Sequence, residues 1–465
     1  MQLKTNKWYN LNKHVKQGDT MKYIEKVFQE VKKRNENEKE FLQAVEEVLF
    51  SLEEYIDSHP EIEKNGILER LCEPERFIQF RVPWVDDQGK VHVNRGYRVQ
   101  FNSAIGPYKG GIRFHPSVNA SIIKFLGFEQ GLKNSITTLP LGGGKGGADF
   151  DPKGKSDNEI MRFCQSFMNE LYRHIGANTD IPAGDLGVGA KEIGYMFGQY
   201  KKLANQFSGA FTGKAIEYGG SLGRKEATGY GLCFLVNKML NKMKNTSLKD
   251  KEVIISGSGN VAIYALEKAI ELGAKVIAMS DSNGYIYTSK GIDFKIMRDL
   301  KEKQKARIKE YLNYDKDAVY NEGSKNIWNT KCDIALACAT QNEIDVEDAK
   351  KLLNNGLICL GEGANMPSTN EAVKLLIQNN VCFAPAKAAN CGGVMVSGFE
   401  MSQNAMHLSW TYEEVINKLK DNMENIFESM HKIALQYNDP YNTVKAANIL
   451  GFEKVAKAMI AQGIV

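Results

Sequence analysis

A ten-residue segment, Val253–Ala262, constrains the fold of this chain more than any other feature of its sequence. It reads Val-Ile-Ile-Ser-Gly-Ser-Gly-Asn-Val-Ala, an apolar run followed by a glycine turn and the start of a helical pattern. Gly257 permits the turn, Gly259 lets the backbone approach a pyrophosphate, and Ala262 replaces a third glycine where helix and strand pack closely. Amides at the start of a helix also face phosphates. The predicted dinucleotide site comprises Ser256, Gly257, Gly259, Asn260 and Val261.

The residues around that segment favour the same architecture. A lone G-x-G-x-x-A occurs by chance, but here short apolar or β-branched runs alternate with helical segments. The runs are Glu252–Ser256, Lys275–Met279, Ile334–Ala337 and Leu357–Leu360. Such alternation is typical of a parallel sheet with helical crossovers. We therefore predict the α/β class, with a Rossmann-like, doubly wound domain over residues 217–439.

The preceding residues predict a second domain. A length of 465 residues exceeds one ordinary core. Helical periodicity runs from Met21 to about Asp57 and returns at 117–133 and 158–175, while alternating runs between Phe77 and Arg113 predict strands. We assign residues 1–216 to this first domain and expect the helical stretch after Pro440, residues 440–465, to rejoin it.

Composition excludes several classes of partner. The chain has 60 basic and 56 acidic residues, a net charge of only +4, and no apolar run long enough for a membrane span. Such a balance provides no overall field for nucleic acid or a membrane surface. We expect small-molecule substrates.

Cysteine and histidine usage indicates a reducing compartment and no metal site. The eight cysteines form no C-x-x-C pair, and the seven histidines show no H-x-x-x-H spacing. Reduced core thiols are the expectation. The first 18 residues hold four lysines but no acid, Arg or Ser, so we interpret them as a solvated basic tail rather than a transit peptide. We predict a cytoplasmic location, with organelle import the less favoured alternative.

The tip of the second predicted strand leaves the choice of dinucleotide open. It reads Ser280-Asp281-Ser282-Asn283-Gly284. An acid there binds a ribose 2′-hydroxyl and repels a 2′-phosphate, whereas the two serines can donate to a phosphate. The following helical segment either supplies positive charge for a 2′-phosphate at this tip or forms an ordinary solvated helix face. Its basic residues are Lys301, Lys303 and Lys305.

Three lysines of the first domain lie in unusual surroundings. Lys109 follows Gly106-Pro107-Tyr108, Lys133 lies in Glu-Gln-Gly-Leu-Lys-Asn, and Lys145 stands within Gly-Gly-Gly-Lys-Gly-Gly. Lysine is normally a surface residue, but glycine-rich backbone admits a ligand closely and exposes oriented amides. The last segment is no Walker loop, because Leu139 replaces the first glycine and no hydroxyl follows the lysine.

These lysines predict an anion pocket. Two of them can hold the two carboxylates of a dicarboxylic acid. The third, desolvated and repelled by the others, has a lowered pKa suited to acid–base work. Asp185, in a second glycine-rich segment, is either its proton-transfer partner or an ordinary turn former.

From about Phe77 onward the chain resembles the hexameric glutamate dehydrogenases of the small-subunit, bacterial and lower-eukaryote type, in the Glu/Leu/Phe/Val dehydrogenase family. The resemblance rests on motifs in the family's order. They are Arg95–Pro116, Leu139–Pro152, Asp180–Gly189, Glu226–Gly231, Gly361–Pro367 and Lys387–Asn404. It implies that the first domain binds substrate and forms a homohexamer, and that the activity needs no metal.

The resemblance also implies roles for individual residues. Lys109, assisted by Ser397, binds the side-chain carboxylate of the substrate, and Lys133, with Gln130 close by, binds the main carboxylate. Lys145 is the catalytic lysine that activates water and polarises the keto group, and Asp185 exchanges protons with ammonia and the imine. Four further residues match positions near the substrate or the nicotinamide. They are Arg224, Thr228, Asn365 and Asn390.

The implied reaction is reversible reductive amination of 2-oxoglutarate by ammonia to L-glutamate. The Ser-Asp-Ser-x-Gly tip, Ser280 to Ser282, is more similar to NADP-dependent members, so NADP is favoured over NAD. Lys225 stands where a proline is common, and Gly223 replaces an apolar residue. The alternatives are an NAD-dependent enzyme, a related amino acid dehydrogenase such as a leucine or phenylalanine enzyme, and a non-catalytic dinucleotide sensor or RNA-binding protein. The last would not need Lys145 and Asp185 together.

Overall fold

A computed structural model describes residues 22–465 of the chain, beginning with a group of helices. These are α1 (Tyr23–Arg34), α2 (Lys39–Ser51), α3 (Glu53–Asp57), α4 (Glu61–Lys64) and α5 (Ile67–Leu71). They confirm the predicted helical pattern from Tyr23 to Asp57, although it is divided into three helices; Met21, where the prediction began, lies outside the described residues. The basic tail, with Lys4, Lys7, Lys13 and Lys16, lies outside the described residues.

A five-stranded sheet follows, in the order β1-β2-β4-β3-β5. Its strands are β1 (Arg76–Val85), β2 (Val91–Asn102), β3 (Tyr108–Phe114), β4 (Gly142–Ala148) and β5 (Asp180–Gly184). β3 runs parallel to both β4 and β5. Its helices are α6 (Ala120–Ile136), α7 (Asp157–Leu171) and α8 (Ala190–Ala204). The side chain of Asn119 caps α6 by accepting the Ile122 amide at 2.9 Å.

The second sheet has seven strands in the order β12-β11-β10-β6-β7-β8-β9. The strands are β6 (Glu252–Ser256), β7 (Lys275–Ser280), β8 (Gly284–Tyr287), β9 (Val319–Glu322), β10 (Ile334–Ala337), β11 (Cys359–Glu362) and β12 (Cys382–Ala384). Its helices are α9 (Ala227–Lys244), α10 (Asn260–Glu271), α11 (Phe294–Arg298), α12 (Val346–Asn354) and α13 (Asn370–Gln378). The parallel arrangement of β12, β11, β10, β6 and β7 confirms the predicted Rossmann-like domain.

Four helices complete the chain, and the last returns to the first domain as predicted. They are α14 (Ala386–Ala389), α15 (Gly392–Met406), α16 (Tyr412–Gln436) and α17 (Thr443–Gln462). On α17, Phe452 meets the ring of Tyr55 edge-on at 5.8 Å, and the Gln462 amide donates to the Ala104 carbonyl. The predicted domain boundaries fall in the turn of 3₁₀-helix at 216–218 and between α16 and α17.

Two further features bear on the sequence-based expectations. All eight cysteines are buried and unpaired, as expected for core thiols. No helix within residues 22–465 is both long enough and apolar enough to cross a bilayer.

Candidate active site

The register of β3, β4 and β5 brings the predicted catalytic residues onto one face of the first sheet. Lys109 pairs with Gly143, so Gly111 stands opposite Lys145. Ile112 pairs with Gly184, which places Arg113 beside Asp185, the residue that follows β5. Strand side chains alternate between faces. The charged side chains that therefore project to the same side are those of Lys109, Arg113, Lys145 and Asp185.

Lys145 on β4 contacts Asp185 after β5, and Gly111 of β3 lies between them. Its Nζ lies 3.0 Å from Oδ2 of Asp185, and Arg113 Nε donates to that same oxygen at 2.8 Å. A Cβ on Gly111 would lie 2.8 Å from Cβ of Asp185, so a larger residue would displace the carboxylate. The structure therefore places Asp185 in ion-pair contact with Lys145, and adds Arg113, which sequence reasoning missed.

The electrostatics of this group keep the aspartate ionised. Burial favours the neutral acid, but the opposite charges of Lys145 and Arg113 outweigh it and hold the pKa of Asp185 at about 2. Burial lowers the pKa of Lys145, while the Asp185 carboxylate opposes that shift. The pair therefore combines an ionised acceptor with a lysine that releases its proton more readily than usual.

Lys109 is buried with no counter-ion. Within residues 22–465 its Nζ makes no hydrogen bond or ion pair, although only 1% of the residue is exposed. Burial lowers the pKa of Lys109 to about 7, with Glu400 opposing the shift and Arg98 and Arg224 adding to it. An anionic ligand would supply the missing negative charge.

Helix α6 adds Lys133 to the same face. A Cβ on Gly143 would lie 2.6 Å from Cα of Gly131, so glycines let α6 pack closely against β4. The pKa of half-buried Lys133 is lowered, mainly by burial and also by Lys145. The predicted lysine cluster is thus brought together.

Gln130 joins the cluster through an amide network. It donates to Asn134 at 2.7 Å, and Asn134 in turn donates to the backbone carbonyls of Lys109 and Gly142. The network ties α6 to β3 and to the start of β4.

Helix α15 brings in residues from the second domain. Ser397 is buried and donates to the Gly393 carbonyl at 3.0 Å. A Cβ on Gly393 would lie 2.7 Å from Thr228 Oγ1 and 3.1 Å from Arg224 Nη1, so these two side chains converge on the start of α15. The Nε of Arg224 is buried without a hydrogen-bond partner among residues 22–465.

Asn365 and Asn390 form a contact suited to a carboxamide. Asn390 donates to Asn365 Oδ1 at 2.9 Å and to the Ala364 carbonyl at 3.2 Å. Its own Oδ1 is buried and has no hydrogen-bond partner in the described part of the chain. A buried acceptor left free in this way fits the amide donor of a nicotinamide.

The glycine turn of the second sheet has the geometry that a pyrophosphate needs. Gly257 has φ +83°, and a Cβ there would lie 3.1 Å from the Cys338 carbonyl oxygen, so only glycine fits without strain. Nothing lies within 4 Å of a Cβ placed on Gly259, which leaves the start of α10 open to a ligand. The next residues, Asn260 and Val261, begin that helix.

The serines of the turn fix its backbone. Ser280 is buried, and its hydroxyl accepts the Gly257 amide at 2.9 Å. Ser256 is also buried, donating to Glu343 and accepting the Cys338 amide. Their predicted contact with the cofactor stays a prediction.

The strand tip is organised by an arginine that sequence reasoning missed. Asp281 turns inward and accepts the amides of Asn283, Gly284 and Ile308. The last of these contacts brings Arg307 to the tip, where it donates to Ser282 at 2.7 Å. Nothing in the local sequence distinguishes Arg307 from the nearby lysines.

Two of the predicted lysines have protein partners. Lys303 pairs with Asp299 at 3.0 Å. Lys301 donates to the Ala306 carbonyl, and its charge interacts with those of Asp281 and Arg307, so it lies near the tip. Arg307 therefore adds a further positive charge there.

A glycine turn for a dinucleotide in one sheet, together with a pocket of ammonium groups and one ionised aspartate on the other, defines a two-domain dehydrogenase of the nicotinamide-dependent class. Comparison with known proteins is consistent with this class and narrows it. The profile described as Glutamate/Leucine/Phenylalanine/Valine dehydrogenase matches residues 219–463, and the dimerisation domain of the same family matches residues 74–202. The chain belongs to the Glu/Leu/Phe/Val dehydrogenase family.

Several relatives are similar over nearly their whole length. The NADP-specific glutamate dehydrogenase of Helicobacter pylori is 57% identical over 448 residues, which are 95% of this chain and 100% of that protein. The NAD-specific glutamate dehydrogenase of Clostridium symbiosum is 55% identical over 449 residues, covering 95% and 99%.

Two solved structures are also similar. The crystal structure of Plasmodium falciparum glutamate dehydrogenase matches with a TM-score of 0.92 and 53% identity, covering 95% of each chain. A hetero-hexameric glutamate dehydrogenase from Thermus thermophilus matches with a TM-score of 0.78 and 26% identity, covering 89% of this chain and 97% of that one.

Proposed function

We propose that this chain is a glutamate dehydrogenase. It converts 2-oxoglutarate and ammonia reversibly to L-glutamate, taking the hydride from NADPH. The observation that carries the proposal is Lys109, a buried ammonium group without a counter-ion, on the same face as the Lys145–Asp185 pair. Relatives over 50% identical along nearly the whole chain are named for this activity.

The charges of the pocket suit a dicarboxylate. Lys109, with Ser397, takes the distal carboxylate, and Lys133, with Gln130, takes the carboxylate beside the keto group. Each carboxylate offsets the desolvation of one lysine, so binding restores charge balance in a buried site. A leucine- or phenylalanine-type substrate would leave Lys109 unpaired, which disfavours that alternative.

The reacting centre then lies beside Lys145 and Asp185. As ammonia adds to the keto carbon, the Lys145 ammonium hydrogen-bonds the developing negative oxygen. Asp185 accepts a proton from the added nitrogen and passes it to that oxygen, which forms the hydroxyl of a carbinolamine. A second transfer of the same kind protonates the hydroxyl, so that water leaves and an imine remains. When bound, the nicotinamide supplies the hydride that reduces this imine.

The second domain contributes residues that orient the cofactor. Gly257 and Gly259 admit the pyrophosphate, Asn260 and Val261 begin the helix that faces it, and Thr228, Asn365 and Asn390 hold the nicotinamide end. Arg224 stands between the nicotinamide end and the substrate pocket. Closure of residues 217–439 on residues 1–216 and 440–465, the domains we assign, would exclude water from the reaction.

NADP is the cofactor that the strand tip favours. The Asp281 carboxylate is 5% exposed and already accepts three amides, so it presents little negative charge outward. Arg307 is 61% exposed and contacts Ser282, giving the tip a cation for a 2′-phosphate. NAD remains the alternative, because relatives of similar identity carry both names.

We further propose a homohexamer and a cytoplasmic location. Support for assembly comes from the match to a family dimerisation domain and from a structural neighbour that is a hetero-hexamer. The eight unpaired, buried thiols suit a reducing compartment.

One assay tests the activity. NADPH or NADH oxidation is followed at about 340 nm with ammonia and 2-oxoglutarate, and again with the 2-oxo acids that correspond to leucine and phenylalanine. We expect turnover with 2-oxoglutarate and NADPH, and about 10²-fold or more loss of kcat in Lys145→Ala and in Asp185→Asn. Preference for a monocarboxylic oxo acid would overturn the substrate, and near-normal turnover in either variant would overturn the assigned roles.

A further inference from the structure

Arg113 is a charged residue at the reacting centre to which the proposed mechanism gives no role. Its guanidinium donates through Nε to Asp185 Oδ2 at 2.8 Å. Its side chain is 23% exposed and that of Asp185 24%, so both border the open side of the pocket. The contact joins residues 72 positions apart in the chain.

The backbone is built to deliver this arginine. Ile112 pairs with Gly184, which places Arg113 alongside Asp185, the residue that follows β5. On the other side Arg113 pairs with Gly147, where a Cβ would lie 2.5 Å from the Arg113 carbonyl oxygen. A side chain at 147 would therefore push β3 and its arginine away from β4.

The decisive feature is that both cations contact the same carboxylate oxygen. The closest carboxylate oxygen to Lys145 Nζ is also Oδ2, at 3.0 Å. Within residues 22–465 no hydrogen bond reaches Oδ1. One oxygen of the aspartate is thus held, and the other remains available.

We propose that Arg113 is a positioning residue that holds Oδ2 of Asp185 so that Oδ1 performs the proton transfers. The inference rests on the proposed function. In each of the two transfers Oδ1 accepts a proton of the added nitrogen and passes it to the substrate oxygen, so the carboxylate is regenerated in each turnover. Lys145 thereby remains free to follow the substrate oxygen, because the arginine alone keeps the carboxylate oriented.

Arg113 also affects the charge state of its partner. The charged groups that face Asp185 are Arg113 from β3, Lys145 from β4 and Lys133 from α6. Removing one opposite charge raises the pKa of a carboxyl by about one to three. From a value of about 2, loss of Arg113 brings the pKa of Asp185 toward the pH at which the enzyme is assayed.

The test compares Arg113→Met and Arg113→Lys in reductive amination of 2-oxoglutarate. For Arg113→Met we expect kcat about tenfold lower at about pH 8, with KM for 2-oxoglutarate within about twofold because its lysines are intact. The ratio of kcat at about pH 5 to that at about pH 8 should also fall relative to the wild-type chain. Arg113→Lys should restore that ratio but only part of kcat, since lysine keeps the charge and loses the planar fork.

The matched control is Arg162→Met, which removes an arginine of the same domain that pairs with Asp87 at 2.6 Å. This control should leave kcat, KM for 2-oxoglutarate and the ratio of kcat at the two pH values unchanged. Wild-type kcat in Arg113→Met, or a loss confined to KM, would overturn the inference. If Arg113→Met does not fold, Arg113→Lys decides alone, because wild-type kcat there means the fork geometry is irrelevant. A wild-type chain inactive with 2-oxoglutarate would overturn the proposed function instead, without any variant.

Discussion

Lys109 and Lys214 are both buried lysines, and they differ only in what surrounds the ammonium group. Lys214 Nζ donates to the Phe211 carbonyl at 2.5 Å and to Glu400 and Asn404 at 2.7 Å each. All three of its protons are satisfied. Lys109 Nζ has no hydrogen bond or ion pair within residues 22–465, and burial lowers its pKa to about 7.

The difference separates structural charges from functional ones. A buried charge with a full set of partners holds segments together, here the stretch after α8 against α15. A buried charge without partners costs folding free energy. The fold tolerates that cost where a ligand later supplies the partner, so the unpaired lysine marks the site.

The pair of Arg98 and Asp180 supports this interpretation. Both side chains are fully buried and form an ion pair, and Arg98 also donates to the Gly110 carbonyl at 3.1 Å. They lie beneath the strand that carries Lys109. The active-site face therefore rests on satisfied charges and presents an unsatisfied one.

The sharpest test applies one substitution to both lysines. Lys214→Met should lower the free energy of unfolding by about 3–5 kcal/mol, because Glu400 would stay buried without its cation. With an unfolding entropy of about 2.1 cal/mol/K per residue, a chain of 465 residues loses about 1 °C per kcal/mol, so the thermal midpoint should fall by about 3–5 °C. Lys109→Met should leave the midpoint unchanged or higher, since it removes a charge with no partner. Equal losses, measured by thermal unfolding of the ligand-free protein, would break the comparison.

The Lys109→Met variant should also lose activity toward 2-oxoglutarate, because Lys109 contacts the substrate in the proposed function and Lys214 does not. Removing a charge-assisted contact to the substrate costs about 1.5–3 kcal/mol, which corresponds to a decrease in kcat/KM for 2-oxoglutarate of about 10- to 150-fold. The 2-oxo acid of the same length without the distal carboxylate serves as the control. Its kcat/KM should stay constant or rise, and an equal decrease for both acids would remove Lys109 from the distal carboxylate site.

Much of the fold and the lysine cluster of the site could be predicted from the sequence, because their signals are local. The strand Glu252–Ser256 was predicted with its observed bounds, and the glycines around Lys109 and Lys145 indicated a ligand site before any coordinates. Strands β8, β9 and β12 were missed, because they lack the unbroken aliphatic run that marks the equally short strand Ile334–Ala337. The predicted strand Leu357–Leu360 begins two residues early, because apolar Leu357 and Ile358 precede the observed strand.

Partnerships between distant residues were not predictable. Arg113 and Asp185 are 72 positions apart, and Lys214 and Glu400 are 186 apart. Local sequence reports what kind of residue is present, but only the register of the strands decides which charge it meets. The contact of Ser280 with Gly257 is of the same kind, because Gly257 follows the neighbouring strand β6.

An unpaired lysine should also make binding depend on pH. The pKa of Lys109 is about 7 in the ligand-free protein, so above that pH the ammonium fraction falls as much as tenfold per pH unit. KM for 2-oxoglutarate should rise correspondingly from about pH 7 to 9. The Lys109→Arg variant keeps its positive charge over this range and should give a flatter profile. Parallel profiles for both proteins would assign the pH dependence to another group.

Arg307 extends the comparison to an exposed cation, where the expected effect is smallest. It is 61% exposed and contacts Ser282, and its guanidinium lies 4.0 Å from Asp281. Solvent screening weakens such charges, so Arg307→Gln should raise KM for NADPH by only about three- to tenfold and leave KM for NADH nearly constant. Lys303→Gln is the matched control, since Lys303 is 71% exposed and already paired with Asp299. Because NADPH and NADH differ only at the 2′-position, the ratio of their KM values isolates the contact with the extra phosphate. Equal ratios in both variants would mean that net positive charge alone, rather than the position of Arg307, selects the cofactor.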